Sequence, residues 1–359
     1  MKRQHKKLVY VAMSGGVDSS VAAALLKKRG FDVIGVFMKP WSPYGENLKS
    51  EILNPKQILN SNFCLWKEDR EDAMRAASVL GIPLETWDFS KQYKKFVTDY
   101  MVREYKVGRT PNPDVMCNKE IKFGLFYNKA IKEGADYIAT GHYIRLKNSR
   151  LFVANDKNKD QSYFLWTLKQ EQLKRCLFPI GEYTKPEVRK IAKKFGLANH
   201  DKKDSQGVCF IGPLDMKSFL QTKIKPKKGK VLGLDGKVLG THDGVYYYTI
   251  GQRHGLDLSI GGGPYYVVSK DIKNNIIYVG KERDLLNKKT KISEMSWISG
   301  GLMLPSQVDV RFRYRAELKK AILKKNGELE LKTPERAITS GQSAVFYKNG
   351  ELLGGGVIA

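Results

Sequence analysis

Cysteine is scarce in this chain, with four among 359 residues. Four spread thiols do not make a disulfide framework for a protein of this length, and they read as the reduced thiols of a cytosolic protein. No Cys-x-x-Cys or His-x3-His spacing occurs, which argues against zinc, and nothing in the spacing argues for an iron–sulfur cluster. No run of 18 apolar residues exists, which excludes a membrane-spanning helix. Met1 to Lys7 is basic, but the apolar run behind it, Leu8 to Met13, is too short for a signal sequence, so the expected location is the cytoplasm. Acidic residues are few beside basic ones, 37 against 63, for a net charge of +26. That excess favours a polyanionic partner such as nucleic acid, although lysines scattered over solvated faces give the same composition.

What is present is globular: 42% apolar and 28% charged residues, with length for two or three domains. Leu8 to Met13 is an apolar run of strand length, followed by a Gly- and Ser-rich turn, a helix through Leu25 and Leu26, and Gly30 as its stop. Asp32 to Met38, Leu84 to Trp87 and Tyr137 to Thr140 read as further strands. Ala73, Ala76, Ala77 and Leu80 share one helix face, as do Phe123, Phe126, Tyr127 and Ala130, and again Val188, Ile191, Ala192 and Phe195. Strands alternating with helices predict an α/β fold with a doubly wound parallel sheet over residues 1–205. Beyond Lys225-Pro-Lys-Lys-Gly229, a linker candidate, the pattern changes to short β-prone runs. They include Tyr246 to Ile250, Tyr265 to Val268 and Ile276 to Val279, punctuated by Asp235-Gly236, Asp243-Gly244, Asn326-Gly327 and Asn349-Gly350. A small central domain over 206–281 and a C-terminal β-barrel over 282–359 are expected. Trp41 to Asn62 lacks periodicity and reads as a long loop.

Ala12-Met-Ser-Gly-Gly-Val-Asp-Ser-Ser20 joins a buried strand to a helix. Its two glycines let consecutive N–H groups converge, Ser14, Ser19 and Ser20 add hydroxyls, and the helix N-terminus adds partial positive charge: an anion cradle. No Gly-Lys-Ser/Thr follows, so it is not a Walker A loop. An aspartate is unexpected in an anion site; Asp18 makes sense there as a ligand of Mg²⁺ on phosphates, or more simply Asp18 or Ser19 caps the helix. Downstream, two prolines in Arg109-Thr-Pro-Asn-Pro-Asp-Val-Met-Cys-Asn-Lys119 set an extended loop ahead of a helix starting near Asn118. Cys117 is then expected at the helix edge near Lys119, where a thiolate is favoured, with Asp114 three residues upstream to exchange a proton. Packing and capping are the plainer roles for the same two residues. Cys209, between Val208 and Phe210, reads by itself as a core cysteine, and Cys64 and Cys176 as structural ones. His142, His242 and His254 are expected to be loop or core histidines with no metal role.

Ser14-Gly-Gly-Val-Asp-Ser-Ser20 resembles the PP-loop of ATP pyrophosphatases, enzymes that split ATP into AMP and pyrophosphate while adenylating a substrate oxygen. It is followed in order by Thr110-Pro-Asn-Pro-Asp-Val-Met-Cys-Asn-Lys-Glu-Ile-Lys-Phe123, Ala139-Thr-Gly-His-Tyr143, Lys159-Asp-Gln-Ser-Tyr163, Asp204-Ser-Gln-Gly-Val-Cys-Phe210 and Thr249-Ile-Gly-Gln-Arg253. The set, from about Lys7 to the C-terminus, resembles the tRNA-specific 2-thiouridylases, which exchange O2 of the wobble uridine for sulfur in tRNAs for Gln, Lys and Glu. The resemblance implies ATP contacts from Ala12, Met13, Ser14, Gly15, Gly16, Val17, Asp18, Ser19, Met38 and Gly141. It further implies Cys117 as nucleophile, Cys209 as persulfide carrier, and Asn112, Pro113 and Asp114 at the target base. Lys159, Asp160, Gln161, Arg313 and Tyr314 are the implied tRNA contacts. ATP, Mg²⁺, tRNA and a sulfur donor, either a cysteine desulfurase or a relay protein, are the implied partners. Cys117 and Cys209 would come within disulfide reach, Cα–Cα below ~7 Å. The loop Trp41 to Phe63 is a departure from that resemblance, being longer than the usual segment of the family.

Val308 to Arg315 alternates strictly, which predicts a strand with Val308, Val310, Phe312 and Tyr314 on one face and Arg311, Arg313 and Arg315 on the other, about 6.6–7 Å apart like successive phosphates. Two other functions fit parts of the pattern. An amide-forming PP-loop synthetase would adenylate and then add nitrogen, needing no cysteine pair, and a non-catalytic RNA-binding protein would release no pyrophosphate.

Overall fold

Apolar runs become interior strands where both faces can be covered. That happens to Leu8–Ala12 (β1) in the computed structural model, which describes residues 6–41, 65–203, 215–258 and 261–359. The chain forms two units, one of Met1–Val97, Asp114–Pro213 and Gly350–Leu352, the other of Thr98–Pro113, Leu214–Asn349 and Leu353–Ala359. In the first unit, β1 leads through the Gly-rich turn into α1 (Val17–Lys28), then β2 (Asp32–Lys39), α2 (Leu65–Leu80) and β3 (Leu84–Asp88). Helix α3 (Asp99–Lys106) counts with the second unit. A helical run over 113–132 (α4) precedes β4 (Tyr137–Ala139), the hairpin β5 (Arg145–Lys147) and β6 (Arg150–Phe152), β7 (Cys176–Leu177) and α5 (Lys185–Lys194).

The expected parallel sheet is there, in the order β3-β2-β1-β4-β7, with every neighbouring pair parallel. The chain builds outward from β1 on one side and then returns to its other side with β4, so the strand order reverses between β1 and β4. Open α/β sheets bind ligands outside the carboxyl ends of strands at such a switch point. Side chains of β1 alternate between layers. Val9 and Val11 are buried in the core that contains Val21 and Leu25 of α1, while Tyr10 faces the other layer, 5.6 Å from Trp87, itself 5.7 Å from Phe126 of α4. Helices therefore cover both faces. Glycines at left-handed φ follow α1 and α2 where the sequence predicts the stops, at Gly30 and Gly81.

The second unit starts again at α6 (Met216–Gln221) and forms a five-stranded sheet in the order β10-β9-β8-β12-β11. Its strands are β8 (Gly229–Gly233), β9 (Val238–His242), β10 (Asp257–Leu258), β11 (Tyr266–Asp271) and β12 (Ile276–Gly280). The predicted strand over Tyr246–Ile250 is absent. Val245–Tyr247 is a 3₁₀ turn, because Val245 N–H donates to the Asn275 side chain and the Tyr247 hydroxyl to the Ile224 carbonyl. These distant partners outweigh the β preference of three tyrosines. Asp243-Gly244 accordingly leads into that turn and joins no hairpin.

Six strands then close an antiparallel barrel: β13 (Leu286–Trp297), β14 (Ser306–Arg311), β15 (Lys319–Leu323), β16 (Glu328–Arg336), β17 (Ser343–Lys348) and β18 (Glu351–Ile358). The order β13-β16-β15-β14-β17-β18 returns to β13, which removes the free edges. Asn349 and Gly350, at φ 50° and 78°, make the tight turn the Asn-Gly pair predicts. The alternating strand predicted through Arg315 stops at Arg311. Val308, Val310 and Phe312 do face the barrel core, but Arg315 has φ 64° and the ladder of three guanidiniums does not form. The Arg313 guanidinium turns onto the carbonyls of Arg336 and Ala337, which bends the chain away from the strand path.

Candidate nucleotide and thiol site

The cradle lies at the switch point, where β1 gives way to α1. Gly16 is the N-cap of α1 and supplies no side-chain hydrogen bond, so neither Asp18 nor Ser19 caps the helix. The first-turn N–H groups, which have no intrahelical partner, are left to an outside acceptor. Ser19 and Ser20 do not offer their hydroxyl protons to a ligand. Both donate to the Gly16 carbonyl at 3.1 Å, and Ser19 Oγ accepts from Ser14 N–H at 3.2 Å. Only Ser14 is exposed. Gly15 holds φ 78°, and a Cβ there would lie 2.0 Å from the Asp69 carbonyl oxygen of α2. Gly141, just after β4, approaches from the other side of the switch point, and a Cβ on it would lie 2.7 Å from Ser19 N. Met38, at the end of β2, is buried. The cradle is thus walled by backbone at places where any side chain would collide.

Two residues with no local sequence signal hold this loop. Asn199 Nδ2 donates to the Gly15 carbonyl at 2.9 Å and to Ser20 Oγ at 3.0 Å, and is itself buried. Lys185, the first residue of α5, places Nζ at 2.8 and 2.9 Å from the two Asp18 oxygens, and the Tyr143 hydroxyl donates to Asp18 Oδ1 at 2.8 Å. Asp18 therefore does not fit the role of a Mg²⁺ ligand in this arrangement, since an ammonium occupies both carboxylate oxygens. Among the described residues no group of three or more His, Cys, Asp or Glu is disposed to hold a metal ion.

Tyr143 ties the cradle to other motifs. Its N–H donates to Gln161 Oε1 at 2.9 Å, and its carbonyl accepts from Gln161 N–H at 2.9 Å. Asp160 is buried and accepts from Ala154 N, Ser162 N and Ser162 Oγ, so its carboxylate shapes the loop. Lys159 is half-buried beside it. His142, next to Gly141, shares a 2.8 Å hydrogen bond between Nδ1 and Thr140 Oγ1 and packs 5.9 Å from the Phe123 ring of α4. Burial, with Lys122 adding to it, pushes its pKa well below the ordinary imidazole value.

Cys117 lies in α4 and is 0% exposed. The predicted position at a helix edge is corrected: Pro113–Met116 already forms a helical turn, and Cys117–Phe126 continues it with π winding. Proline costs nothing at the first helical position, so the helix starts earlier than its second proline suggests. Cys117 therefore sits one turn inside, where the terminal charge has faded. Lys119 is exposed and pairs with Glu120 at 3.3 Å. Asp114 stays in the first turn, three residues before Cys117, a spacing that shares a helix face. Asn118 Nδ2 reaches the Phe164 carbonyl at 3.4 Å. The thiol's helix thus touches the loop that follows Gln161 and, through Phe123, the loop that carries Gly141. Cys176, in β7, is buried and its thiol is pushed far up by that burial, in keeping with a structural cysteine. Cys64, Cys209 and the loop over 42–63 lie outside the described residues.

Within the second unit, the chain just before Asn112 is fastened by its backbone. Thr110 N–H donates to the Ser340 carbonyl at 2.9 Å, and Gln342 Nε2 donates to the carbonyls of Thr110 and Pro111 at 3.0 and 2.9 Å. Asn112, next along, is buried and Pro113 half-buried. Arg313 lines a recess of about 170 Å³ with Thr110 and Gln342, and Tyr314 beside it is half-buried.

Family models match nearly the whole chain: a tRNA methyl transferase HUP domain over 7–213, a tRNA methyl transferase PRC-barrel domain over 217–281 and an aminomethyltransferase β-barrel domain over 287–358. The tRNA-specific 2-thiouridylase MnmA of Bacillus velezensis is 47% identical over 370 residues, 99% of this chain and 96% of its own. The chain belongs to the tRNA-specific 2-thiouridylase family. The enzyme of the same name from Bacillus subtilis strain 168 is 46% identical over the same shares of the two chains. Among solved structures, an NMN synthetase from Francisella tularensis aligns over 56% of this chain and 67% of its own at 15% identity and a TM-score of 0.33, too distant to carry an argument. Membership covers both units of this 2-thiouridylase homologue, and no helix among the described residues is long and apolar enough to cross a membrane.

Proposed function

We propose that this chain is an ATP-dependent tRNA 2-thiouridylase acting on the wobble uridine in the cytoplasm. The observation that carries the reading is full-length kinship, 47% identity across 99% of the chain, to a protein of that name. The uncapped α1 terminus walled by Gly15 and Gly141 supports ATP as the co-substrate. A urea-like C2=O is a poor leaving group. Uridine O2 attacks the α-phosphorus of ATP, pyrophosphate leaves, and the adenylated oxygen can then depart as AMP. Cradle N–H groups of α1 would hold the phosphates while charge moves onto the pyrophosphate.

Sulfur arrives from a persulfide on Cys209, loaded by a cysteine desulfurase or a relay protein, and reaches C2 either as the persulfide or as released hydrosulfide. Cys117 attacks the Cys209 sulfur, and the S–S bond of the persulfide is exchanged for a Cys117–Cys209 disulfide that an external thiol must reduce. Asp114 acts as general acid and base, and Asn112 and Pro113 meet the base. Lys159, Gln161, Arg313 and Tyr314 are the proposed tRNA contacts. Asp160 acts through the loop it shapes. Mg²⁺ would come with the nucleotide rather than from a protein site. The test is nucleoside mass spectrometry of tRNA for Gln, Lys and Glu after incubation with protein, ATP, Mg²⁺, cysteine and a desulfurase. 2-Thiouridine at the wobble position is expected, and tRNA that gains no sulfur refutes the proposal.

A further inference from the structure

A carboxylate in the first turn of α1 is at odds with a cradle for a polyanion. Asp18 sits where the helix terminus favours negative charge, but a phosphate chain seeking the same N–H groups would meet it as a like charge. Lys185 answers this. Its side chain is 10% exposed, and its ammonium lies within hydrogen-bond distance of both Asp18 oxygens, with Tyr143 completing the shell. Its main chain is fixed as well. Lys185 is the residue after the Thr184 N-cap, whose capping box with Glu187 starts α5, and its N–H donates to Asp156 Oδ2 at 2.9 Å. The ammonium is thus delivered to Asp18 by a rigid helix end.

We propose that Lys185 is a positioning residue that sets the charge of the phosphate cradle, holding Asp18 as a neutral pair so that α1 presents only its N–H groups to the triphosphate. The inference rests on ATP being the co-substrate. It assigns Lys185 no contact with the nucleotide; the ammonium acts through Asp18. Removing the ammonium leaves an unbalanced carboxylate in the first turn of α1, whose N–H groups would receive the phosphates, and the penalty grows with the number of phosphate charges. Removing both members of the pair takes the carboxylate away together with its counter-ion.

Isothermal titration of the full-length protein with ATP and with AMP, at one Mg²⁺ concentration, tests this without recourse to activity. Lys185→Met should weaken ATP about tenfold or more and AMP by a smaller factor. Lys185→Arg should stay close to wild type. The double variant Lys185→Met with Asp18→Asn should recover ATP affinity to within about threefold of wild type. Melting temperatures report whether each variant folds, and the double variant, which removes both charges of the Asp18–Lys185 pair, keeps the test open if the single one does not. Unchanged ATP affinity in folded Lys185→Met overturns the proposal. So does a double variant as weak as Lys185→Met, because the ammonium would then be a phosphate ligand itself. A wild-type protein that binds no ATP refutes the nucleotide reading instead, before the variants are compared.

Discussion

Adding one methyl group at Gly141 separates the demands of the cradle from those of the chain. Gly141 does not have a left-handed φ, so alanine is conformationally acceptable and would by itself stabilise by about 0.4–1 kcal/mol through the unfolded state. The new Cβ, however, would lie 2.7 Å from Ser19 N and 2.8 Å from the Asp18 carbonyl carbon, both backbone atoms. Ordinary contact begins near 3.4 Å, so the β4 loop and the α1 terminus must part by roughly 0.7 Å, an overpacking cost of about 1–3 kcal/mol. The net loss of stability is about 0–2.6 kcal/mol. The same shift moves the Ser19 N–H in the cradle, and ATP affinity should fall about tenfold or more, about 1.4 kcal/mol. Gly134→Ala is the control. Its φ is 92° but nothing lies within 4 Å, so it should lower the melting temperature with ATP affinity unchanged. Calorimetric melting and ATP titration of both variants check the pair. Gly141→Ala that binds ATP like wild type would refute the idea that close backbone approach builds the cradle.

Asn199→Ala removes hydrogen bonds to the Gly15 carbonyl and Ser20 Oγ and should cost about 1–3 kcal/mol by denaturant titration, with weaker ATP binding. Cys117→Ser should abolish sulfur transfer in the nucleoside assay while the protein still binds ATP. Cys176→Ala should leave sulfur transfer intact, and iodoacetamide at pH 8 should leave Cys176 unlabelled in the folded protein, because burial raises its thiol pKa. His142 is held neutral, its folded pKa depressed by burial first and Lys122 second, so the unfolded chain takes up a proton that the folded one resists. Its contribution is whole above the unfolded value of about 6.5 and declines as pH falls, by at most about 1.4 kcal/mol per pH unit. Melting from pH 8 to pH 5 should show that decline, and His142→Gln should flatten it.

Much of the α/β unit was legible because its signals are local. A both-faces-buried strand reads as a solid apolar run, as at Leu8–Ala12, and helix stops read as glycine, as at Gly30 and Gly81. The β-rich second unit was legible only where a turn type demands particular residues. Asn349-Gly350 makes its hairpin, whereas Asp243-Gly244 does not, because Asn275 captures the Val245 N–H across the fold. The two-residue strand Cys176–Leu177 carries no period to detect, yet it completes the parallel sheet beside β4. Arg311 to Arg315 alternates perfectly and still leaves the sheet, since the carbonyls of Arg336 and Ala337 draw in the Arg313 guanidinium.

The amino-acid order by itself determined the family, and it marked the Gly-rich turn and Cys117 as candidates for phosphate binding and sulfur chemistry, because each is written in contiguous residues that need no distant partner to recognise. Tertiary structure decided what surrounds them. Lys185 and Asn199 lie 167 and 184 residues along the chain from Asp18 and Gly15, yet they hold that turn in shape and charge. No local pattern announces such a role. An ammonium or amide becomes part of a cradle only when the sheet order brings α5 and the loop behind it against α1.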